Sequence, residues 1–162
     1  MRISSSTHVP ATPDRVFAEI STQDFQDAKC VATRPLSHSA TVSTDGPATV
    51  LHTERQMPSD GLPDVVAKFV GPSITIVEDQ HWGPAEADGT RRATLTVKVP
   101  GAPFDVTGQA TMTPNGGGTQ QSVDLDVSCS VPLFGRKIEA AVAPMVEKAV
   151  TSEFKVLHAR LD

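Results

Sequence analysis

Tyrosine is absent from the chain, and tryptophan occurs only once, as Trp82. Leucine is also scarce, with 8 residues in 162, whereas valine occurs 19 times and threonine 17 times. Because β-branched residues favour strands, this composition predicts a sheet and argues against a leucine-rich helical bundle or a coiled coil. The length fits one domain, which we expect to span residues 1–162 and to hold a core without disulfide bonds.

Basic residues are too few and too scattered for a nucleic-acid-binding surface. Lysine and arginine total 14 against 19 acidic residues, a net charge of −5. This balance disfavours binding to nucleic acid or to an anionic membrane surface. The longest charge-free apolar stretch near the C-terminus, 140–146, is far shorter than the roughly 20 residues of a membrane span. No apolar leader follows Met1, which predicts a cytoplasmic location.

The sequence contains no pattern typical of a metal or phosphate site. Its two cysteines, Cys30 and Cys129, lie far apart and are predicted to be reduced thiols. The five histidines lack the spacing of zinc ligands, so we expect neither a metal nor a cofactor. The glycine run 115–118 lacks the Lys-Ser/Thr that follows in a phosphate-binding loop and is predicted to be a hairpin turn.

Alternation of apolar and polar residues predicts seven strands. The first ends at Pro10, and the other six lie between Leu36 and Val131 with hairpin-sized connectors. Each has one apolar and one polar face, which is typical of an antiparallel sheet that is covered on one side.

Helical spacing predicts two short helices after the first strand and a long one at the C-terminus. The first short helix has Thr12 as its N-cap and Pro13 at its first position, and the second runs from Asp24 to Cys30. Residues 62–70 fit one or two further helical turns. The last helix, 136–161, is amphipathic and should bend near Pro144, where a backbone hydrogen bond is missing.

Two local motifs carry a resemblance to a known superfamily. The segments 12–17 (TPDRVF) and 131–139 (VPLFGRKIE), in the predicted order of elements, resemble the START-like, or SRPBCC, superfamily. Within it the chain looks like an uncharacterised bacterial family of unknown function. The resemblance covers essentially the whole chain. It implies an α+β helix-grip fold, in which a curved seven-stranded antiparallel sheet wraps around the long C-terminal helix and leaves an elongated cavity between them.

The resemblance implies a small hydrophobic molecule as the partner, but it transfers no catalytic residue, because the superfamily shares no catalytic motif. Small inward residues favour a cavity, although a filled core is the alternative. The residues expected to line it are apolar and lie on the inward faces of the strands and the last helix: Trp82, Leu95, Val97, Phe104, Val106, Ala110, Leu125, Val127, Val142, Met145 and Ala149. Trp82 could instead be an ordinary core residue at a strand end.

Two polar residues of the third strand could also face the cavity. His52 and Glu54 share the parity of Val50, and an inward His–Glu pair could move a proton. The simpler interpretation is that this parity faces water and that Leu51, Thr53 and Met57 face inward. The residues alone leave this choice open.

Three functions remain open. The first is a non-enzymatic carrier or sensor of a lipid or polyketide-like molecule. The second is a cyclase, aromatase or hydrolase on the same scaffold, for which the plausible acid–base groups are His38, His52, His81, Glu54 and Glu78. The third is a protein-interaction module, as a monomer or a homodimer. Because tyrosine, a common general acid, is absent, the balance favours a container over a catalyst.

Overall fold

The computed structural model describes residues 1–162 and contains seven strands and four helices. The elements follow one another in the predicted order: β1 (Arg2–Val9), α1 (Pro13–Ile20), α2 (Gln23–Val31), β2 (Ser37–Asp45), β3 (Ala48–Pro58), α3 (Asp64–Ala67), β4 (Ser73–Trp82), β5 (Arg91–Lys98), β6 (Phe104–Asn115), β7 (Gly118–Cys129) and α4 (Gly135–Leu161).

All seven strands form one antiparallel sheet in the order β1-β7-β6-β5-β4-β3-β2. Strands β2 to β7 follow one another as neighbours, and β1 returns to pair with β7. The sheet is therefore open, with β1 and β2 at its edges. Together with the long C-terminal helix, this arrangement confirms the predicted α+β helix-grip fold.

The first short helix begins where the sequence predicts, and the second begins one residue earlier than predicted, at Gln23. The Thr12 hydroxyl accepts a hydrogen bond from the Arg15 amide at 3.3 Å, and Pro13 occupies the first helical position of α1. Thr22 caps α2 in the same way, by accepting from the Phe25 amide at 3.1 Å. Both caps satisfy amides that have no partner within the helix, which fixes where each helix starts.

The long helix α4 is continuous through Pro144. Before the proline its buried side chains include Ile138 and Val142, and beyond it they include Phe154 and Leu157. None of the four helices combines the length with the apolar composition that a membrane span requires.

The helices cover the sheet unevenly. Helix α4 packs on β7 and β1, and α2 packs on β2 and β3. The short helices reach the central strand β4 through side chains, because Lys29 of α2 contacts Glu78 and Phe17 of α1 meets Trp82. The inward side chains of β4 therefore lie beside α1 and α2, and this part of the inner face is where a site can form.

Gly108 is one of the small inward residues that led us to expect a cavity, together with Ala93, Ala110 and Cys129, but it has a different role in the fold. A Cβ atom on Gly108 would lie 2.0 Å from the Asp124 carbonyl oxygen and 2.8 Å from the Leu125 Cα. Gly108 therefore allows β6 and β7 to approach closely, and it does not leave room for a ligand.

Candidate functional site

The inner face of the sheet has an apolar half, formed by β5, β6 and β7. The strand register places Val97 opposite Val106, and Val106 opposite Val127. In the neighbouring row, Leu95 and Leu125 flank Gly108. Most of these side chains are buried, and α4 packs on β7 at one side of this half. This half can accept the hydrocarbon part of a ligand.

The other half of the inner face, on β3 and β4, is polar. Thr53 and Arg55 point inward from β3, and Glu78 and Gln80 point inward from β4. Thr53 lies directly opposite Glu78, which in turn lies opposite Val97. The polar and apolar halves therefore meet within one row of the sheet.

Two helices complete a buried polar cluster around Glu78. The Lys29 ammonium of α2 contacts the Glu78 carboxylate at 2.5 Å and the Glu153 carboxylate of α4 at 3.1 Å. The Arg55 guanidinium reaches the other oxygen of Glu78 at 3.3 Å. The Gln80 amide donates to Glu78 at 2.7 Å. These contacts tie α2, β3, β4 and α4 together at one point.

The charges of this cluster balance. Burial alone would lower the pKa of Lys29, but the carboxylates of Glu153 and Glu78 outweigh it and raise the pKa. Burial alone would raise the pKa of Glu78, but the charges of Lys29 and Arg55 lower it to about 2. At neutral pH the cluster therefore holds two positive and two negative charges, and neither Lys29 nor Glu78 is poised to exchange a proton.

Two buried atoms of β3 lack a hydrogen-bond partner within the protein. They are the Thr53 hydroxyl oxygen and the Arg55 Nε atom. Thr53 is 1% exposed and Arg55 is 5% exposed. Buried polar atoms normally have a partner in the protein or in ordered water. A water molecule, or a polar atom of a ligand, could satisfy these two atoms.

Trp82 lies at the end of β4, near this cluster. Its indole N–H donates to the Gln80 side-chain oxygen at 2.9 Å. Its ring meets the Phe17 ring edge-on, with centroids 6.1 Å apart. Trp82 is buried, so it belongs to the core and also adjoins the polar half of the inner face.

The structure brings most of the other predicted lining residues to the inner side. Leu95, Val106, Ala110, Leu125, Val127 and Val142 are buried, and Val97, Phe104 and Ala149 are half-buried. Met145 is the exception, because it is 40% exposed. Beyond Pro144, Val146 and Val150 pack against the core. Each lies one position after a predicted lining residue, Met145 or Ala149.

His52 and Glu54 do not face the inner side. Leu51, Thr53 and Arg55 occupy the inward parity of β3, which places His52 and Glu54 on the outer face. There His52 contacts Asp79 at 2.7 Å and Glu54 at 3.3 Å. The hydrogen bond to Asp79, despite some desolvation, raises the pKa of His52. The alternative in which His52 and Glu54 face inward is therefore wrong. Burial of the apolar Leu51 turns the neighbouring positions, and with them His52 and Glu54, to the outer face.

The other acid–base candidates are dispersed. His81 is exposed, and His38 lies at the sheet edge beside Asp27, at 3.2 Å. Glu78 alone points inward, and its oxygens are already bonded to Lys29, Arg55 and Gln80. The chain thus brings no pair of these candidates together on the inner face.

The polar cluster is the feature that sequence reasoning missed. Arg55 shares the parity of Leu51, and Glu78 and Gln80 share the parity of Trp82, so strict alternation could have placed all three inward. Lys29 and Glu153 had no such signal, because their meeting depends on how α2 and α4 pack.

An open concavity of about 720 Å³ lies elsewhere, on the outer side of α4. It is lined mainly by polar residues of that helix, including Glu147, Lys148 and Lys155. Its lining does not include the predicted site residues, and it is open to solvent, whereas a hydrophobic ligand is normally enclosed.

Comparisons with known proteins agree with this fold. Residues 4–161 match the model of a family described as "Protein of unknown function (DUF2505)". Uncharacterized proteins of Mycobacterium bovis and Mycobacterium tuberculosis are 24% identical over 111 residues, which are 67% of this chain. The match spans 63% of the length of these relatives.

Several solved structures share the architecture. A protein of Thermus thermophilus superposes with a TM-score of 0.65 at 18% identity, over 99% of this chain and 97% of its own. A STAR-related lipid transfer protein of Xanthomonas axonopodis gives 0.64 at 14% identity, over 99% and 85%. The Zhui aromatase/cyclase from Streptomyces gives 0.62 at 12% identity, over 99% and 93%. At these identities the likeness shows the fold.

Proposed function

Because the chain belongs to the DUF2505 family of proteins of unknown function and has a START-like helix-grip fold, we propose that it binds a small hydrophobic molecule between the sheet and α4. It acts as a carrier or a sensor of that molecule, and not as a catalyst.

The observation that carries this proposal is the division of the inner face. A continuous apolar row across β5, β6 and β7 adjoins a polar group of residues on β3 and β4 that contains unpartnered buried atoms. Ligand sites in proteins are mostly apolar, with a few polar groups that fix orientation. The two halves together have this composition.

The same interior argues against catalysis. General acid–base chemistry needs a group whose pKa lies near the working pH. Glu78 is held ionised by Lys29 and Arg55, and Lys29 is held protonated by its two carboxylates. The fold neighbours named as a lipid transfer protein and as an aromatase/cyclase support both classes equally, and the paired charges of the interior favour the carrier.

Native mass spectrometry of gently purified protein, followed by organic extraction, tests the proposal. We expect an added mass that is lost on denaturation and recovered as an apolar molecule in the extract. The variant Val106→Phe adds bulk to the apolar row and should abolish the added mass. Val77→Phe adds the same ring on the outer face of β4 and should leave the added mass unchanged.

A circular-dichroism melt establishes that both variants are folded. Absence of any apolar molecule from repeated preparations, together with no uptake of added hydrophobic compounds, would contradict the proposal. Equal retention of the molecule by Val106→Phe and wild type would place the site elsewhere.

A further inference from the structure

We propose that the polar cluster recognises an uncharged oxygen on the ligand, so that the preferred molecule is a neutral alcohol or ketone with an apolar body. A carboxylate of the same length, and a plain hydrocarbon, should bind less well. This inference rests on the proposed function and names the ligand class of the same site.

The unpartnered atoms define what the ligand must offer. The Arg55 Nε–H can only donate a hydrogen bond, and the Thr53 hydroxyl can donate or accept one. An oxygen acceptor satisfies the Arg55 donor, whereas a hydrocarbon leaves it unpaired. A buried donor without a partner is unfavourable. The cluster should therefore discriminate against a ligand that has no oxygen at this end.

The charge balance excludes an ionised group. Lys29 and Arg55 are already matched by Glu78 and Glu153, at contacts between 2.5 and 3.3 Å. A ligand carboxylate would add a fifth charge to a buried cluster that is neutral without it. Its desolvation would not be compensated, because each cation already has a carboxylate partner. A hydroxyl or carbonyl oxygen adds a hydrogen bond without adding charge.

The strand register orients the ligand. Thr53, Glu78, Val97, Val106 and Val127 follow one another across β3 to β7. Neighbouring strands are about 4.8 Å apart, so the span from β3 to β6 or β7 is roughly 14–19 Å. A straight-chain molecule can thus hold its oxygen at Thr53 and Arg55 while its chain lies along the apolar half.

A matched set of probes tests the inference: dodecan-1-ol, dodecanoate and n-dodecane, titrated at about pH 7.5, where a carboxylic acid is ionised. Trp82 is the sole tryptophan and is bonded to Gln80, a member of the cluster, so its fluorescence reports occupancy of this region. We expect the dissociation constant for dodecan-1-ol to be at least roughly tenfold lower than those of the other two probes, since one satisfied buried hydrogen bond is worth about that factor. Native mass spectrometry confirms the stoichiometry.

Two variants test whether the Thr53 hydroxyl contributes to the preference for dodecan-1-ol. Thr53→Val preserves shape and removes the hydroxyl, and it should reduce the preference for dodecan-1-ol over n-dodecane severalfold. Thr41→Val makes the same change on the exposed outer side of β2 and should leave the preference unchanged. If Thr53→Val does not fold, the ranking of the three probes by the wild-type protein decides the question alone.

The outcomes separate the two proposals. Binding of none of the three probes would remove the proposed function, and this inference with it. Equal binding of all three probes, or tightest binding of dodecanoate, would leave the proposed function standing and overturn this inference.

Discussion

The buried cluster predicts strong coupling between Lys29 and Glu78. The variant Glu78→Gln preserves shape and leaves Lys29 and Arg55 with the single carboxylate of Glu153. Lys29→Met leaves the opposite imbalance, two carboxylates with one cation. The double variant restores the balance, because only Arg55 and Glu153 remain charged. Its cost should therefore be well below the sum of the two single costs.

The magnitude follows from burial. Both partners are at most 10% exposed, and removal of one member of a buried pair costs about 3–5 kcal/mol. The amide introduced by Glu78→Gln can keep hydrogen bonds to its neighbours, so we expect about 3 kcal/mol for each single variant. In a domain of this length that corresponds to a fall in melting temperature of roughly 6–12 °C. The coupling energy in the double-mutant cycle should be at least about 2 kcal/mol.

Urea unfolding monitored by circular dichroism measures the four free energies of the cycle. Glu54→Gln is the matched control, because Glu54 is 50% exposed and pairs with His52 on the outer face. It should change the free energy of unfolding by less than about 1 kcal/mol. The assignment of a coupled interior cluster would be refuted if the losses in unfolding free energy of Glu78→Gln and Lys29→Met simply added in the double variant. It would also be refuted if either loss were smaller than that of the control.

Three further predictions concern stability and reactivity. Gly108→Ala should lower the free energy of unfolding, measured in urea, by more than about 4 kcal/mol, because the new Cβ meets the backbone of β7. Gly71→Ala is the control: Gly71 has open space around it, so this free energy should change by less than about 0.5 kcal/mol. Because the pKa of Glu78 is lowered from 4.5 to about 2 on folding, its ionised form stabilises the protein above pH 4.5, and this contribution is lost as pH falls towards 2. The difference in urea midpoint between wild type and Glu78→Gln should thus shrink from about pH 6 to about pH 3, and a constant difference would contradict the shift. Burial raises the pKa of the Cys30 thiol, so iodoacetamide should alkylate Cys30 in the native protein roughly tenfold more slowly than in urea, as measured by peptide mass spectrometry; equal rates would argue against its burial.

The fold could be predicted because its signals are local. Period-two alternation marks each strand, and the N-cap Thr12 followed by Pro13 marks the start of α1. For β3, alternation alone leaves open whether the face that contains Leu51 or the face that contains His52 is buried. The rule that the apolar face is buried selects the face of Leu51.

The site could be predicted only in its apolar half. The inward positions of Val106 and Val127 follow from alternation, but the cluster of Lys29, Glu78 and Glu153 joins three elements far apart in the sequence. Composition gives no sign of such a meeting, since charged residues are usually taken to lie on the surface. The absence of tyrosine indicated an apolar container. The interior is instead amphipathic, with buried charged residues on β3 and β4 beside the apolar half.

Methyl-resolved NMR tests the central claim most directly, because valine and leucine line the inner face and valine also occurs on the outer face. On addition of dodecan-1-ol, we expect chemical-shift changes and ligand contacts at the methyl groups of Leu95, Val106 and Val127. The methyl groups of Val50 and Val77, on the outer face, should not change. Shifts confined to outer-face methyls or to the outer side of α4, with the inner methyls unaffected, would contradict a ligand site between the sheet and α4.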